Sequence, residues 1–132
     1  MIFVDTNVFM YAVGRPHPLR AEAQRFFEQS IEDGSLLATS AEVLQELFHA
    51  YLPVGRLATL DAALTLISAR ASVWPLEKQD VELARSFVRR HAGLGARDLI
   101  HLASCRRRGV HEVKTFDRAL AAALGDSENP SR

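Results

Sequence analysis

The stretch Ile2-Phe3-Val4-Asp5-Thr6-Asn7-Val8-Phe9-Met10-Tyr11-Ala12-Val13 decides the fold. Its first three residues are apolar and rich in β-formers, and they give way at once to a polar triplet of turn residues. Val8 to Val13 then read as helix. A short buried strand that ends on a carboxylate and turns directly into a helix is the opening unit of a parallel α/β sheet.

The pattern repeats outward from this unit. Arg15-Pro16-His17-Pro18 is a loop, because each proline disfavours helix in the residue before it. Leu19 to Asp33 carries Ala23, Phe26, Phe27 and Ile31 at close to the helical period, and Gly34 stops it. Leu36 to Ala38 is a second strand, and Ala41 to Tyr51 a helix. Arg56 to Arg70 is helical through Leu57, Leu60, Leu64 and Ile67, and Ser72 to Leu76 forms a third strand. Lys78 to His91 and Arg97 to Arg108 are helices, the second closed by Gly109 as a left-handed cap. Val110 to Phe116 is the last strand, and Asp117 caps a final helix that runs through Leu124. Four to five short strands alternating with longer helices predict a three-layer α/β/α fold around a central parallel sheet. Residues 1–124 form a single domain, and 125–132 read as a flexible C-terminal tail.

Composition agrees and narrows the class. In 132 residues, 48% are hydrophobic and 24% charged, the profile of an ordinary globule rather than a disordered chain or a coiled coil. The lone Cys105 permits neither an intramolecular disulfide nor a zinc-binding cysteine cluster. With no signal-peptide pattern and no apolar run approaching the ~20 residues of a membrane span, the expected location is the cytoplasm. Sixteen basic residues balance sixteen acidic ones, which argues against nucleic-acid binding over the whole surface but leaves room for a local site.

In open α/β sheets, sites form beyond the carboxyl ends of the strands. Four carboxylates stand at such places: Asp5 after the first strand, Glu46 in the helix after the second, Asp98 at a helix start after a glycine loop, and Asp117 after the last strand. Each has a structural reading as well, Asp117 as an N-cap, Asp98 as a first-turn acid and Asp5 as a turn residue. Glu42 is the other acid of its helix. It points away from the apolar arc and completes Thr39-Ser40-Ala41-Glu42, a capping-box pattern, so Glu46 is the site candidate. Converging carboxylates repel unless a cation joins them. Oxygen donors without cysteine, and without a histidine pair at ligand spacing, favour Mg2+ or Mn2+ over zinc. With the four acids set aside, sixteen basic residues face twelve acidic ones, an excess of four positive charges that suits an anionic substrate.

The strand ending Val4-Asp5-Thr6-Asn7, the helix with Val43-Leu44-Gln45-Glu46, the stretch Ala96-Arg97-Asp98-Leu99-Ile100-His101-Leu102-Ala103 and the ending Lys114-Thr115-Phe116-Asp117 together resemble a PIN domain, and more narrowly the VapC-type toxins of toxin-antitoxin modules. The resemblance covers residues 1 to about 124. It implies a Mg2+- or Mn2+-dependent endoribonuclease that hydrolyses RNA phosphodiester bonds as the toxin of a type II system. By position, Asp5, Glu46, Asp98 and Asp117 are its metal-binding and catalytic acids, supported through hydrogen bonds by Asn7 and Thr115. It further implies a VapB-type antitoxin that blocks the acidic cleft, and a homodimer. For the antitoxin, Leu57 to Ile67 and the Phe26-Phe27 pair are candidate groove walls, with core as the equal alternative.

His101, three residues after Asp98, reads as a packed or hydrogen-bonded structural histidine rather than a general base. Arg106-Arg107-Arg108 reads as a solvated helix end that suits the helix dipole. Arg15, Arg97 and Arg118 flank the acids and are the candidates for phosphate contact. A dehalogenase-like phosphatase needs a second acid where Asn7 stands, and a receiver domain needs an acid after the middle strand, where Trp74-Pro75-Leu76 has none. The remaining rival is a PIN-like module that binds RNA or protein without cutting.

Overall fold

The structure, a computed structural model, describes residues 1–128. Four short strands, β1 (Ile2–Val4), β2 (Leu37–Ser40), β3 (Ala71–Trp74) and β4 (Glu112–Lys114), form one parallel sheet in the order β3-β2-β1-β4. Seven helices connect and flank them: α1 (Thr6–Val13), α2 (Arg20–Asp33), α3 (Ala41–Tyr51), α4 (Leu57–Arg70), α5 (Lys78–Ser86), α6 (Ala96–Arg107) and α7 (Arg118–Glu128). The three-layer α/β/α fold predicted from the strand-helix alternation is present. β1 is central because Phe3 and Val4 are wholly buried on both faces of the sheet, and Val8, Phe9, Leu47, Leu102 and Leu120 close over them. Each such side chain contributes about 1.5–3 kcal/mol through burial.

Boundaries moved where side chains outweighed pattern. β2 begins one residue later than expected and continues to Ser40, because the Thr39 hydroxyl donates to the Val4 carbonyl (3.0 Å) and holds the chain extended. Thr39 is therefore not the cap of α3. Ser40 is, with its Oγ accepting from Val43 N (3.4 Å), and Glu42 is buried rather than turned to solvent. β3 stops at Trp74 because Pro75 has no amide to donate. β4 is limited to Glu112–Lys114. α5 ends at Ser86, five residues short of His91: bonds from Phe87 N to Ala84 O and from Val88 N to Arg85 O tighten the last turn, and buried Phe87 turns inward. Gly109 adopts φ +67°, the left-handed conformation expected of it, so that Val110 N reaches Cys105 O (2.9 Å) and the chain enters β4.

The Arg106-Arg107-Arg108 run is not a free solvated terminus. Arg107 Nη1 and Arg108 Nη1 donate to Asp80 Oδ1 at 2.7 and 2.9 Å, and both also reach Glu77. Asp80 is wholly buried, and its other oxygen accepts from Glu77 N (2.9 Å). Burial alone would raise the Asp80 pKa, but the two arginines and this backbone bond hold it below the usual carboxylate range. Arg108 also lies over the Trp74 ring, 5.0 Å from its centroid, so this cluster ties α6 to α5 and to the edge strand.

Of the candidate groove walls, Leu60, Ala63, Ile67 and Phe27 are core, Phe26 and Leu64 are half-buried and Leu57 is exposed. α7 runs on to Glu128, past Leu124, and the rest of the predicted tail, 129–132, lies outside the described residues. Among the described residues no helix is long and apolar enough to cross a membrane.

Candidate active site

Parallel register brings the ends of β1 and β4 side by side. Val4 pairs with Lys114, and Asp5 N donates to Lys114 O (3.0 Å), so the next residues, Asp5 and Thr115, leave the sheet together. The Thr115 hydroxyl donates to Asp5 Oδ2 (2.6 Å), while Thr6 N donates to Asp5 Oδ1 (2.8 Å) as α1 begins. Asn7 spans the same gap. Its Nδ2 reaches Thr115 Oγ1 (3.4 Å) and its Oδ1 accepts from Phe116 N (3.2 Å). The supporting residues read from sequence thus join the two strand ends.

Glu46 arrives from α3, half-buried, with both oxygens engaged. Oε2 accepts from the Thr6 hydroxyl (2.7 Å) and Oε1 meets His101 Nε2 at 2.7 Å. His101 is fully buried on α6, its ring tilted against Phe3 with centroids 5.3 Å apart, and its Nε2 lies 3.8 Å from Asp5 Oδ1. The histidine is packed and hydrogen-bonded, as expected, and it also lies between two of the predicted acids. Sequence reasoning passed over Thr6. Its signal was the hydroxyl directly after the strand-end acid, in the turn that starts a helix.

The acids fall into two pairs. Asp5, Glu46 and His101 each offer a ligand atom within 4.8 Å of the others. Asp98, one helical turn before His101, hydrogen-bonds instead to Asp117. Asp117 in turn caps α7, its Oδ1 accepting from Ala119 N (2.9 Å) and Leu120 N (3.3 Å). The capping role foreseen for Asp117 is therefore present, beside its contact with Asp98.

Electrostatics follow from this crowding. Burial raises the Asp5 pKa, against the opposing charge of His101 and the bond from Thr115. Burial would raise Glu46 too, but the bonds from His101 and Thr6 hold it below its usual value. For His101 the carboxylates overcome burial and raise its pKa, favouring an imidazolium between them. Asp98 is pushed up to about 7 by burial, by the bond to Asp117 and by the charges of Asp5 and Asp117. Asp98 thus faces a second carboxylate, and Asp5 and Glu46 flank the His101 ring. Such a set of oxygen donors, with excess negative charge neutralised by protons, fits a divalent cation.

The candidate phosphate contacts separate. Arg97 is exposed, lines the same cavity as Thr6, Met10, Glu46 and His49, and lies close enough for its charge to lower Glu46. Arg15 lines a neighbouring cavity, and Arg118 is exposed at the first position of α7.

The PIN domain family model matches residues 2–124. The chain belongs to the PIN-domain family. Within that family it is of the VapC ribonuclease type: it is 63% identical over 124 residues to Ribonuclease VapC23 of Mycobacterium tuberculosis, covering 94% of this chain and 98% of that protein. It is 40% identical over 126 residues to Ribonuclease VapC13 of the same species, covering 95% and 96%. Two solved structures share the fold. M. tuberculosis VapC20, described as a Sarcin-Ricin loop cleaving toxin, superposes with a TM-score of 0.78 at 23% identity, over 93% of this chain and 95% of that one. FitAcB from Neisseria gonorrhoeae superposes at 0.64 and 21% identity, over 95% and 94%.

Proposed function

We propose that this VapC-type PIN domain is the toxin of a type II toxin-antitoxin pair, a metal-dependent endoribonuclease that hydrolyses RNA phosphodiester bonds at the acidic end of its sheet. The observation that carries the reading is the crowding of Asp5, Glu46, Asp98 and Asp117 at the ends of β1 and β4, where burial and the neighbouring carboxylates push the Asp98 pKa up to about 7. The names of the relatives at 63% and 40% identity support ribonuclease activity over a non-catalytic binding role.

Asp5, Asp98, Asp117 and Glu46 are the residues that would hold Mg2+ or Mn2+. The ion, when bound, supplies Lewis acidity at the phosphate and lowers the pKa of water towards ~7. The chain supplies orientation. Thr115 and Thr6 N fix both oxygens of Asp5, Thr6 and His101 fix both oxygens of Glu46, and Asn7 holds the turn after β4 against α1. Arg97, which lines the cavity beside Glu46, would meet a phosphate, with Arg15 in the neighbouring cavity and exposed Arg118 as further contacts. On this reading 1–124 is the functional domain, followed by a short tail, and the protein acts in the cytoplasm, as a homodimer when free. A VapB-type antitoxin inserts a cation, most suitably an arginine, among the acids.

The test is cleavage of RNA by purified protein with Mg2+ or Mn2+ and with chelator, beside an Asp5→Asn control. Metal-dependent cutting lost in the control is expected. Expression alone should arrest growth, and the Asp5→Asn form should not. A wild type that cuts no RNA with either ion would overturn the nuclease reading. A wild type that cuts RNA, yet leaves growth unaffected, would overturn the toxin reading alone.

A further inference from the structure

The proline-flanked loop after α1 forms a second cavity whose chemistry differs from that of the acids. Arg15, His17 and Arg56 line it together with Tyr11 and Tyr51, the only two tyrosines of the chain, and no carboxylate is among its lining residues. Its volume is about 190 Å³. Met10 lines both this cavity and the one beside Glu46 and Arg97, so the two adjoin across α1. Tyr11 follows Thr6 by five residues, about 7.5 Å along the helix axis. That separation is within reach of the nucleotide next to a phosphate held at the acids.

The side chains here are arranged rather than merely exposed. Phe116, Tyr11 and His17 form a continuous series of rings. Phe116 meets Tyr11 edge-on at 5.4 Å, and Tyr11 stacks on His17 at 4.4 Å with 29° between planes. The inner end of the series is anchored at the acids, since Phe116 precedes Asp117 and its amide donates to Asn7. The outer end, His17, is exposed, yet its ring is oriented by a 3.0 Å bond from Leu19 N to Nδ1. Arg56 is likewise held, with Nη2 donating to Thr59 (3.2 Å) and the guanidinium over the Tyr51 ring at 5.6 Å. An exposed, oriented ring in a cavity also lined by two arginines matches an unpaired base and its phosphate, because every base has a stacking face and every nucleotide a charge.

We propose that this cavity is a subsite for single-stranded RNA, in which His17 stacks the base beside the scissile phosphate and Arg15 and Arg56 hold the adjoining backbone. The inference rests on the ribonuclease reading and adds to it the requirement for an unpaired flanking nucleotide. The test uses the full chain carrying Asp5→Asn, so that nothing is cut, and a short fluorescein-labelled single-stranded RNA of mixed sequence, followed by anisotropy. His17→Ala should weaken binding about fivefold or more, the range for loss of one stacked base. Arg56→Gln should weaken it and reduce the salt dependence by about 0.7 in log-log slope for the lost contact. Arg89→Gln, the same charge change on the exposed turn after α5, should do neither. A duplex of the same RNA should be insensitive to His17→Ala. Unchanged binding in both His17→Ala and Arg56→Gln, with melting temperatures at the parent value, would overturn the subsite. So would substitutions that spare RNA binding and weaken capture of a co-expressed antitoxin, which would assign the cavity to a protein. Failure of the ribonuclease reading registers separately, as a wild-type protein that cuts no RNA with Mn2+ whatever the variants do to binding.

Discussion

At Asp98 a carboxyl that would ionise near 3.8 retains its proton to about pH 7 in the fold, through burial, its bond to Asp117 and nearby negative charge. Between those values the folded state binds more protons than the unfolded one, so metal-free stability falls as pH rises from about 4 through 7. Melting in chelator across that interval should show the decline, and Asp98→Asn should flatten it, since an amide does not ionise. The same substitution should abolish RNA cleavage without unfolding the protein, because an amide replaces the hydrogen bond but not the ligand charge. A second comparison separates the two acids of α3. Glu46→Gln should abolish cleavage, because Glu46 sits among Asp5, Thr6 and His101, whereas Glu42→Gln, at the start of the helix, should leave it within a few fold. Equal losses measured at matched protein and metal would show that the site reads the wrong acid.

Among the elements, the join between α5 and α6 depends on one buried carboxylate. Asp80 meets Arg107 and Arg108 and reciprocates the backbone of Glu77, so its removal leaves the two partly exposed guanidinium groups to the Glu77 carboxylate and the Glu77 amide without its acceptor. Asp80→Ala should cost about 1–3 kcal/mol, the range for leaving hydrogen-bonding groups without their buried partner, read as a lower urea midpoint at unchanged slope. Its pH dependence runs opposite to that of Asp98. The folded pKa is depressed, so the stability it contributes is present above the unfolded value near 4 and is lost as pH falls through the folded value. Asp80→Asn should accordingly flatten the acid limb of a stability profile. At the end of β2, Ser40→Ala removes the N-cap of α3, the helix that carries Glu46, and should cost about 1 kcal/mol by the same measurement.

For the whole molecule, a divalent ion that binds only the folded site stabilises it by about 2.7 kcal/mol at a hundredfold excess over Kd. Millimolar Mn2+ should therefore raise the melting temperature of the wild type and leave Asp5→Asn close to its metal-free value. An identical shift in both proteins would mean that the ion acts on the surface at large and not on the acids.

The strand-turn-helix opening, the apolar alternation along the chain and the order of the four acids were sufficient for the fold class and the family, because local periodicity and strand-end position are properties of consecutive residues. Gly109 is of this kind: a glycine just past the last helical residues is a local capping signal, and it takes the left-handed turn. What consecutive residues could not show is who meets whom. Asp5 bonds Thr115 across 110 positions, Glu46 meets Thr6 across 40 and His101 across 55, and none of these pairings has a local signature. The same holds for Asp80, an unremarked acid in sequence that the approach of α6 turned into the buried partner of two arginines, and for Thr39, which left its capping pattern to bond Val4. The acids were visible as candidates because a strand end exposes them. Their division into a pair bridged by His101 and a pair in which Asp98 faces Asp117 arose only when parallel register and helix packing fixed distances, and electrostatic energy depends on distance and burial, not on order along the chain.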